Sequence, residues 1–369
     1  MQYNWQQKDW PNFKYDLANL EALLYQFAVR QGHISGLLKA LPEGIQQQSL
    51  IDMMVAEALK TFEIEGEYLS REDVLSSIRN NLGLNRIPEK IKDKRSEGVA
   101  QLMVNVRETF AQKLNKETLF HWHQMMMEPY LNINKGQWRK GEAPMQIISG
   151  PAGREIIHFE APPSKLIPAE MKGFISWFNH TAPQGEQAIF HAPVRSAITH
   201  VYFESIHPFE DGNGRMGRAL SEKALSQGLG RPILLSLSQA IEHKRQAYYD
   251  ALKVAQRSND ITNWIFYFLQ TILEAQKQAE LQLNFTLYKA RFFDRFKPAL
   301  NARQEKALKK MFEAGPDGFK GGMSTKKYMS ITKTSKSTAT RDLVNLEKMG
   351  ALLVIGLGRA TKYELAKLK

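Results

Sequence analysis

Along the first 284 positions, apolar residues recur mostly three and four apart, the period of a helix that buries one face. "NLEALLYQFAVRQGHISGLLKAL" has this spacing, broken by glycine and ended near Pro42. "QSLIDMMVAEALKTFEIEG" predicts a second helix stopped by Gly66. "SREDVLSSIRNNLGL" predicts a third, with Ser70 as N-cap and Asp73 at the capping-box position. "SEGVAQLMVNVRETFAQ" and "TLFHWHQMMMEPYL" continue the rhythm, and Met125–Met127 read as core filling. Only "MQIISGPAGREIIHFEAPP" departs from it: two β-prone runs around Gly150–Gly153 predict a hairpin. Helical spacing resumes in "PAEMKGFISWFNH", in "APVRSAITHVYFESI", in "RALSEKALSQGL", in "SQAIEHKRQAYYDALKVAQRS" and in "ITNWIFYFLQTILEAQKQAELQL".

The tail has its own pattern. "RQEKALKKMFEA" and "STKKYMSIT" read as helices. "SKSTATRDLVNLEKMG" is a third, capped by Ser335 or Ser337 and stopped by Gly350. "ALLVIGLGRATKYEL" reads as two strands around Gly356–Gly358. Three helices and a hairpin, in that order, predict a winged helix-turn-helix. Its third helix would carry Lys336, Thr338, Thr340 and Arg341 near its start. The fold class expected is mainly α.

Composition narrows the picture. A chain of 369 residues suggests two to three domains, and 43% hydrophobic with 24% charged residues is ordinary for globular folds. With no cysteine, disulfides, thiolate zinc sites and cysteine nucleophiles are excluded, which fits a reducing cytosol. The start, "MQYNWQQKDW", lacks a signal pattern, and no apolar run approaches the ~18 residues of a membrane span. A cytoplasmic chain with no membrane partner is therefore expected. The net charge of +12 is unevenly placed. Residues 285–369 hold 19 basic and 7 acidic residues, while 1–284 hold 31 of each. All the excess sits in the tail, which suggests an acidic partner such as nucleic acid, or else a lysine-rich soluble surface.

Chemistry concentrates in "HPFEDGNGRMGR", His207–Arg218. His200, Glu204 and His207 are four and three apart on one helix face, a spacing metal ligands use. Pro208 ends that helix, however, and a zinc site would not explain the glycine-rich turn that follows. Gly212 and Gly214 allow backbone N–H groups to converge on an anion, and a helix starting near Arg215 adds its positive end. Arg215 and Arg218, three apart, present guanidinium forks to a phosphate. Asp211 is placed to hold Mg²⁺ together with phosphate oxygens. His207, near pKa ~6.5 when unperturbed, suits proton abstraction from a hydroxyl. Together these suggest phosphoryl or nucleotidyl transfer.

"HPFEDGNGR" followed by Arg218 resembles the Fic family motif, HPFx(D/E)GNGRxxR, at every specified position. The resemblance spans roughly residues 100–276. It implies an all-helical core with the loop between two helices and a hairpin flap, here "MQIISGPAGREIIHF" with Ile156, Ile157 and His158. It implies transfer of AMP from ATP to a hydroxyl of a target protein. On it, His207 is the general base, Asp211 the Mg²⁺ ligand, and Gly212, Asn213, Gly214, Arg215, Gly217 and Arg218 the nucleotide cradle. Phe209 is an apolar anchor, Tyr248 or Tyr249 lines the adenine or ribose side, and Gln256 stands where some members carry asparagine. Thr61, Glu65 and Gly66 in "TFEIEG" resemble the family's inhibitory motif, (S/T)xxxE(G/N), whose glutamate pairs with the second motif arginine, here Arg218. "YNWQ" and the tail resemble a bacterial subgroup with an N-terminal helical extension and a C-terminal winged helix.

The domains expected are thus a helical extension over 1–99, with its inhibitory helix at about 51–66, a catalytic core over 100–284 and a winged helix over 285–369. The activity expected is protein adenylylation of a Ser, Thr or Tyr hydroxyl, with Mg²⁺ and ATP, restrained by Glu65. The alternatives are a nucleotide-sensing DNA-binding regulator and removal of AMP at the same site. The tail is expected to meet DNA or protein, and the sequence leaves homodimerisation open.

Overall fold

The computed structural model describes residues 2–149, 154, 156–316, 318–356, 358 and 361–367. Among them are fourteen α-helices and two short hairpins, so the fold is mainly α. The helices before the loop are α1 (Glu21–Ala40), α2 (Glu43–Ile64), α3 (Arg71–Asn81), α4 (Lys94–Glu108), α5 (Lys116–Met127), α6 (Ile167–His180) and α7 (Ala192–Ile206). After it come α8 (Asn213–Leu229), α9 (Leu237–His243), α10 (Arg245–Ala255), α11 (Thr262–Phe296), α12 (Ala302–Phe312), α13 (Thr325–Thr332) and α14 (Lys336–Lys348). Strands β1 (Gln146–Ser149) and β2 (Ile156–Glu160) pair antiparallel, as do β3 (Leu352–Ile355) and β4 (Lys362–Leu365).

Local chemistry explains most of these boundaries. The Ser70 side chain accepts from the Asp73 backbone N–H at 3.3 Å, as an N-cap should. Asp73 does not complete the capping box, because its carboxylate accepts from Asp93 N–H at 3.2 Å. Gly66 and Gly350 follow their helices with positive φ, of 81° and 73°. Three expectations shift. The glycines at 32 and 36 do not break α1, α8 begins at Asn213 rather than near Arg215, and "SQAIEHKRQAYYDALKVAQRS" makes two helices that separate at Lys244 (φ −130°, ψ 41°). The turn of the first hairpin, Gly150–Gly153, lies outside the described residues, and so does part of the second turn.

Two compact units emerge. One comprises Met1–His33 and Leu50–Ala279; the other comprises Ile34–Ser49 and Glu280–Lys369. In the first unit every residue of α7 is buried, although the helix carries Arg195, His200 and Glu204. Arg195 is tolerated there because it spends its guanidinium on Phe178 O (2.7 Å), Ala224 O (3.2 Å), Thr181 Oγ1 and Gln227 Oε1. Glycine lets α8 lie close against α7: a Cβ at Gly228 would sit 2.4 Å from the Ala192 Cβ. The surrounding core includes Phe62, Trp122, Phe174, Phe203 and Phe209.

The second unit has a separate core with Phe292, Phe312, Tyr328 and Leu343. Within it, Ser324 caps α13, Ser335 caps α14, and Met323 bridges to Tyr363 of β4. Its polar centre is Asp342, which accepts from Arg303 Nε (2.9 Å), Tyr328 Oη (3.0 Å) and Asn301 Nδ2 (3.1 Å).

Candidate active site

α7 ends at His207, whose backbone is left-handed (φ 50°, ψ 61°). That conformation is costly for a residue with a Cβ, by roughly 1 kcal/mol or more. Arg139 holds it in place: its Nε donates to His207 O at 2.8 Å, and its backbone N–H donates to Pro208 O at 2.9 Å. The same guanidinium reaches Ser164 Oγ and Pro162 O, and burial lowers its pKa to about 10.

Next in the chain, Phe209 is fully buried and stacks on His123, with centroids 3.9 Å apart and planes at 7°. His123 Nδ1 accepts from Gly136 N–H at 2.9 Å, so Nε2 carries the proton and donates to Asp211 O at 3.1 Å. Burial lowers the His123 pKa to about 4, so this brace is neutral at physiological pH.

Asn213 closes the loop. Its amide donates to Phe209 O and accepts from Phe209 N–H, both at 2.9 Å. The Asn213 side chain therefore shapes the turn. Gly212 takes φ 80°, and a Cβ there would lie 2.7 Å from Met126 Cε. Met126 and Met127 are indeed buried, as core residues under the loop.

The loop opens on a cavity of about 680 Å³ lined by His207, Asp211, Gly212, Gly214, Arg218 and residues of the β1–β2 hairpin. His158 is among those hairpin residues, whereas Ile157 points outward at 47% exposure. Ile156 belongs to β2, paired with Ser149. From α10, Tyr248 and Tyr249 both line the cavity. Tyr248 is buried and bonds His200 Nε2 at 2.7 Å; Tyr249 Oη donates to Ile64 O at the end of α2. His200 lies wholly within this packing, with Nδ1 on Ser221 Oγ, and burial lowers its pKa to about 4.

The two arginines of α8 have different fates. Arg218 lines the cavity and is 2% exposed. Its Nε donates to Thr61 Oγ1 (2.8 Å), and its Nη2 donates to Thr61 O (2.9 Å) and Glu65 Oε1 (2.7 Å). Burial opposes the Arg218 charge, but Glu65, Tyr248 and Glu204 hold its pKa above the ordinary arginine value. Gly214 leaves room for this grip, since a Cβ there would lie 2.5 Å from Glu65 Oε1. Arg215 turns elsewhere. Its guanidinium lies over Phe62 (4.8 Å), donates to Glu67 Oε1 (3.0 Å), and comes within 3.3 Å of Asp211 Oδ2. Gly66 has φ 81°, and on either side of it Glu65 and Glu67 each reach a different arginine of α8.

Compared with known families, residues 113–225 match the Fic/DOC family. The chain carries a Fic/DOC domain. Residues 3–84, ahead of that domain, match a domain of unknown function, DUF4172. A probable protein adenylyltransferase of Aquifex aeolicus (strain VF5) is 24% identical over 203 residues, which is 52% of this chain and 56% of that protein. The protein adenylyltransferase Fic of Aedes aegypti is 34% identical over 90 residues, 24% of this chain and 16% of the mosquito protein. The chain thus spans little more than half of the first of these relatives and a small part of the second. Among solved structures, a Fic family protein from Desulfovibrio desulfuricans G20 aligns over 96% of this chain and 98% of its own, with TM-score 0.56 and 19% identity. A Fic domain containing signaling protein from Bacteroides thetaiotaomicron aligns over 74% and 97%, with TM-score 0.51 and 16% identity. These structures share the fold of the chain described here.

Around the motif, sequence reasoning missed Arg139, His123 and Glu67. Nothing in "GQWRKGEAP" or "FHWHQ" marks the first two, because their partners are backbone atoms of a distant loop. Glu67 follows directly on "TFEIEG", and its adjacency to that motif was the available signal.

Proposed function

We propose that the chain is a protein adenylyltransferase that moves AMP from ATP to a Ser, Thr or Tyr hydroxyl of a target protein, restrained by its own Glu65. The observation that carries this reading is Arg218. It lines the same cavity as His207 and Asp211, yet its guanidinium is already occupied by Thr61 and Glu65. A carboxylate seated on that fork competes with a nucleotide phosphate for it. In the reaction, His207 takes the proton of the target hydroxyl. The hydroxyl oxygen bonds to the α-phosphorus, and the bond to pyrophosphate breaks. Asn213, Gly214 and the first turn of α8 offer backbone N–H groups to the phosphates. The names of the curated relatives agree with the activity.

Asp211 suits Mg²⁺ only in company. Its side chain is about half exposed on the cavity, and no group of three His, Asp or Glu side chains among the described residues would hold a metal alone. One carboxylate plus nucleotide phosphates and water is the donor set Mg²⁺ accepts, and the ion would neutralise phosphate charge there. The β1–β2 hairpin, with Ile156, Ile157 and His158, is the strand edge on which a target segment would be held.

The test uses ATP labelled at the α-phosphate with wild type, Glu65→Gly and Glu65→Gly/His207→Ala. Label on protein is expected strongly in Glu65→Gly alone. ATP binding with no label in any lane, target extracts included, overturns the reading.

For residues 285–369 we propose a winged-helix module that docks an acidic partner. In the first two turns of α14, Lys336, Ser337, Thr340 and Arg341 are exposed, and the sole acid there, Asp342, is buried. DNA affinity of the full chain that falls steeply with salt would place nucleic acid as that partner; salt-insensitive binding would exclude it.

A further inference from the structure

We propose that Glu204 is the positioning residue of His207: its carboxylate fixes the imidazole with the proton on Nδ1 and leaves Nε2 as the base. The inference rests on the transferase reading above for its kinetic arm alone. Glu204 sits one turn before His207 on α7 and is 3% exposed. Its Oε2 lies 3.7 Å from His207 Nδ1. That is longer than a hydrogen bond, yet no other group claims either side. His207 Nδ1 and Glu204 Oε1 are both buried, and neither has a hydrogen-bond partner.

Buried polar atoms are almost always paired, so an orphaned Nδ1 beside a buried carboxylate whose Oε2 lies 3.7 Å away marks a bond that forms with a sub-ångström shift. Because Nδ1 faces Glu204, Nε2 is left for the cavity that His207 lines. A carboxylate behind an imidazole selects one tautomer and stabilises the imidazolium that forms when the ring takes a proton. In adenylyl transfer that proton comes from the target hydroxyl as its oxygen bonds to the α-phosphorus and pyrophosphate departs. It stays on Nε2, beside a Glu204 anion.

The surroundings keep Glu204 charged. Burial raises its pKa, but His207, His200 and Arg218 outweigh burial and hold it below the usual carboxylate value. His200 comes from α7, held by Tyr248 and Ser221. Arg218 comes from α8, with Glu65 of the α2 C-terminal turn on its far side. Tyr248 and Tyr249 of α10 complete the charged and titratable groups facing the pair, and Gln256 Nε2 donates to Glu204 O at 3.1 Å. Gly217 adds an independent sign. A Cβ there would stand 2.5 Å from Glu204 Oε1, so the carboxylate needs glycine at a position the motif leaves unspecified.

The test uses the full chain with ¹⁵N-labelled histidine in a Glu65→Gly background, with and without Glu204→Gln. In the parent, His207 should carry its neutral-state proton on Nδ1. In Glu204→Gln transfer should fall roughly 10- to 100-fold, with the acid limb of the kcat/KM profile moving to lower pH and KM for ATP nearly unchanged. A parent His207 protonated on Nε2 overturns the proposal. So does a rate loss in Glu204→Gln with the acid limb of the kcat/KM profile unmoved, which would mark Glu204 as structural. If Glu204→Gln does not fold, the parent tautomer still decides. If Glu65→Gly transfers no label, the function reading fails and the parent tautomer alone judges the pair.

Discussion

The loop after α7 and the surface of α14 both gather basic side chains, but they treat them in opposite ways. At the loop, Arg218, Arg139, His123 and His200 are all buried, and each is bonded to named partners. On α14, Lys336, Thr340 and Arg341 stand in solvent, and the buried polar group is Asp342 with its three donors beneath them. A desolvated, bonded charge is worth kilocalories and responds sharply to one substitution, whereas an exposed charge acts through the summed field and is screened by salt. The charges at the loop are therefore sensitive to single substitutions, whereas those on the α14 face act additively.

The largest expected effect tests the loop side of this contrast. His207→Ala in the Glu65→Gly background should lower transfer about 10³-fold, within the range for a lost general base, while ATP affinity changes little. Titration of ATP by calorimetry beside the labelled assay would separate the two quantities.

Releasing the brake comes next. Glu65→Gly removes a charge-assisted bond to a buried arginine, worth about 1.5–3 kcal/mol. Transfer should rise roughly 10- to 100-fold. Thr61→Ala should give a smaller rise, because it removes a bond from Arg218 to a hydroxyl and leaves the Glu65 carboxylate in place. A Glu65→Gly variant no faster than wild type would show that the Arg218 contact restrains nothing.

A gentler probe is pH. The His123 pKa falls from an unfolded value near ~6.5 to about 4 because it is buried. Its folded-state pKa is depressed, so the unfolded chain binds the extra proton between these values. Stability should be full above pH ~6.5 and decline as pH drops towards 4, by at most about 1.4 kcal/mol per pH unit for each such histidine. Thermal melts at pH 7.5, 6 and 5 should show this fall, and it should be shallower in His123→Gln.

The smallest effects belong to α14. Lys336→Ala and Arg341→Ala should each change stability by less than about 0.5 kcal/mol. If the partner is nucleic acid, each should reduce the slope of log K against log salt by about 1. A Tm drop of many degrees in either variant would break the contrast.

Much of this was legible in the chain. Helical spacing located most of the helices, Ser70 and Ser335 marked their caps, and "HPFEDGNGR" marked the loop. What it could not supply was the split at Lys244, because the apolar period runs on through "EHKRQAYY" and only local backbone geometry ends α9. Nor did spacing separate the roles of Arg215 and Arg218. Three residues apart on a helix, they both looked able to reach one phosphate, yet packing sends Arg215 to Phe62 and Glu67 and keeps Arg218 at the cavity.

By itself the sequence determined the mainly helical class, the uneven placement of charge and the glycine-rich turn, since periodicity, net charge and backbone freedom are properties of a few adjacent residues. Only the tertiary structure decided which distant side chains meet: Glu65 with Arg218, Arg139 and His123 with the loop backbone, Glu204 with His207 across a gap that no partner fills. Apart from the Glu204–His207 pair, these contacts join residues far apart in the chain through burial that makes each polar group find a partner. Adjacency and period carry no record of that requirement.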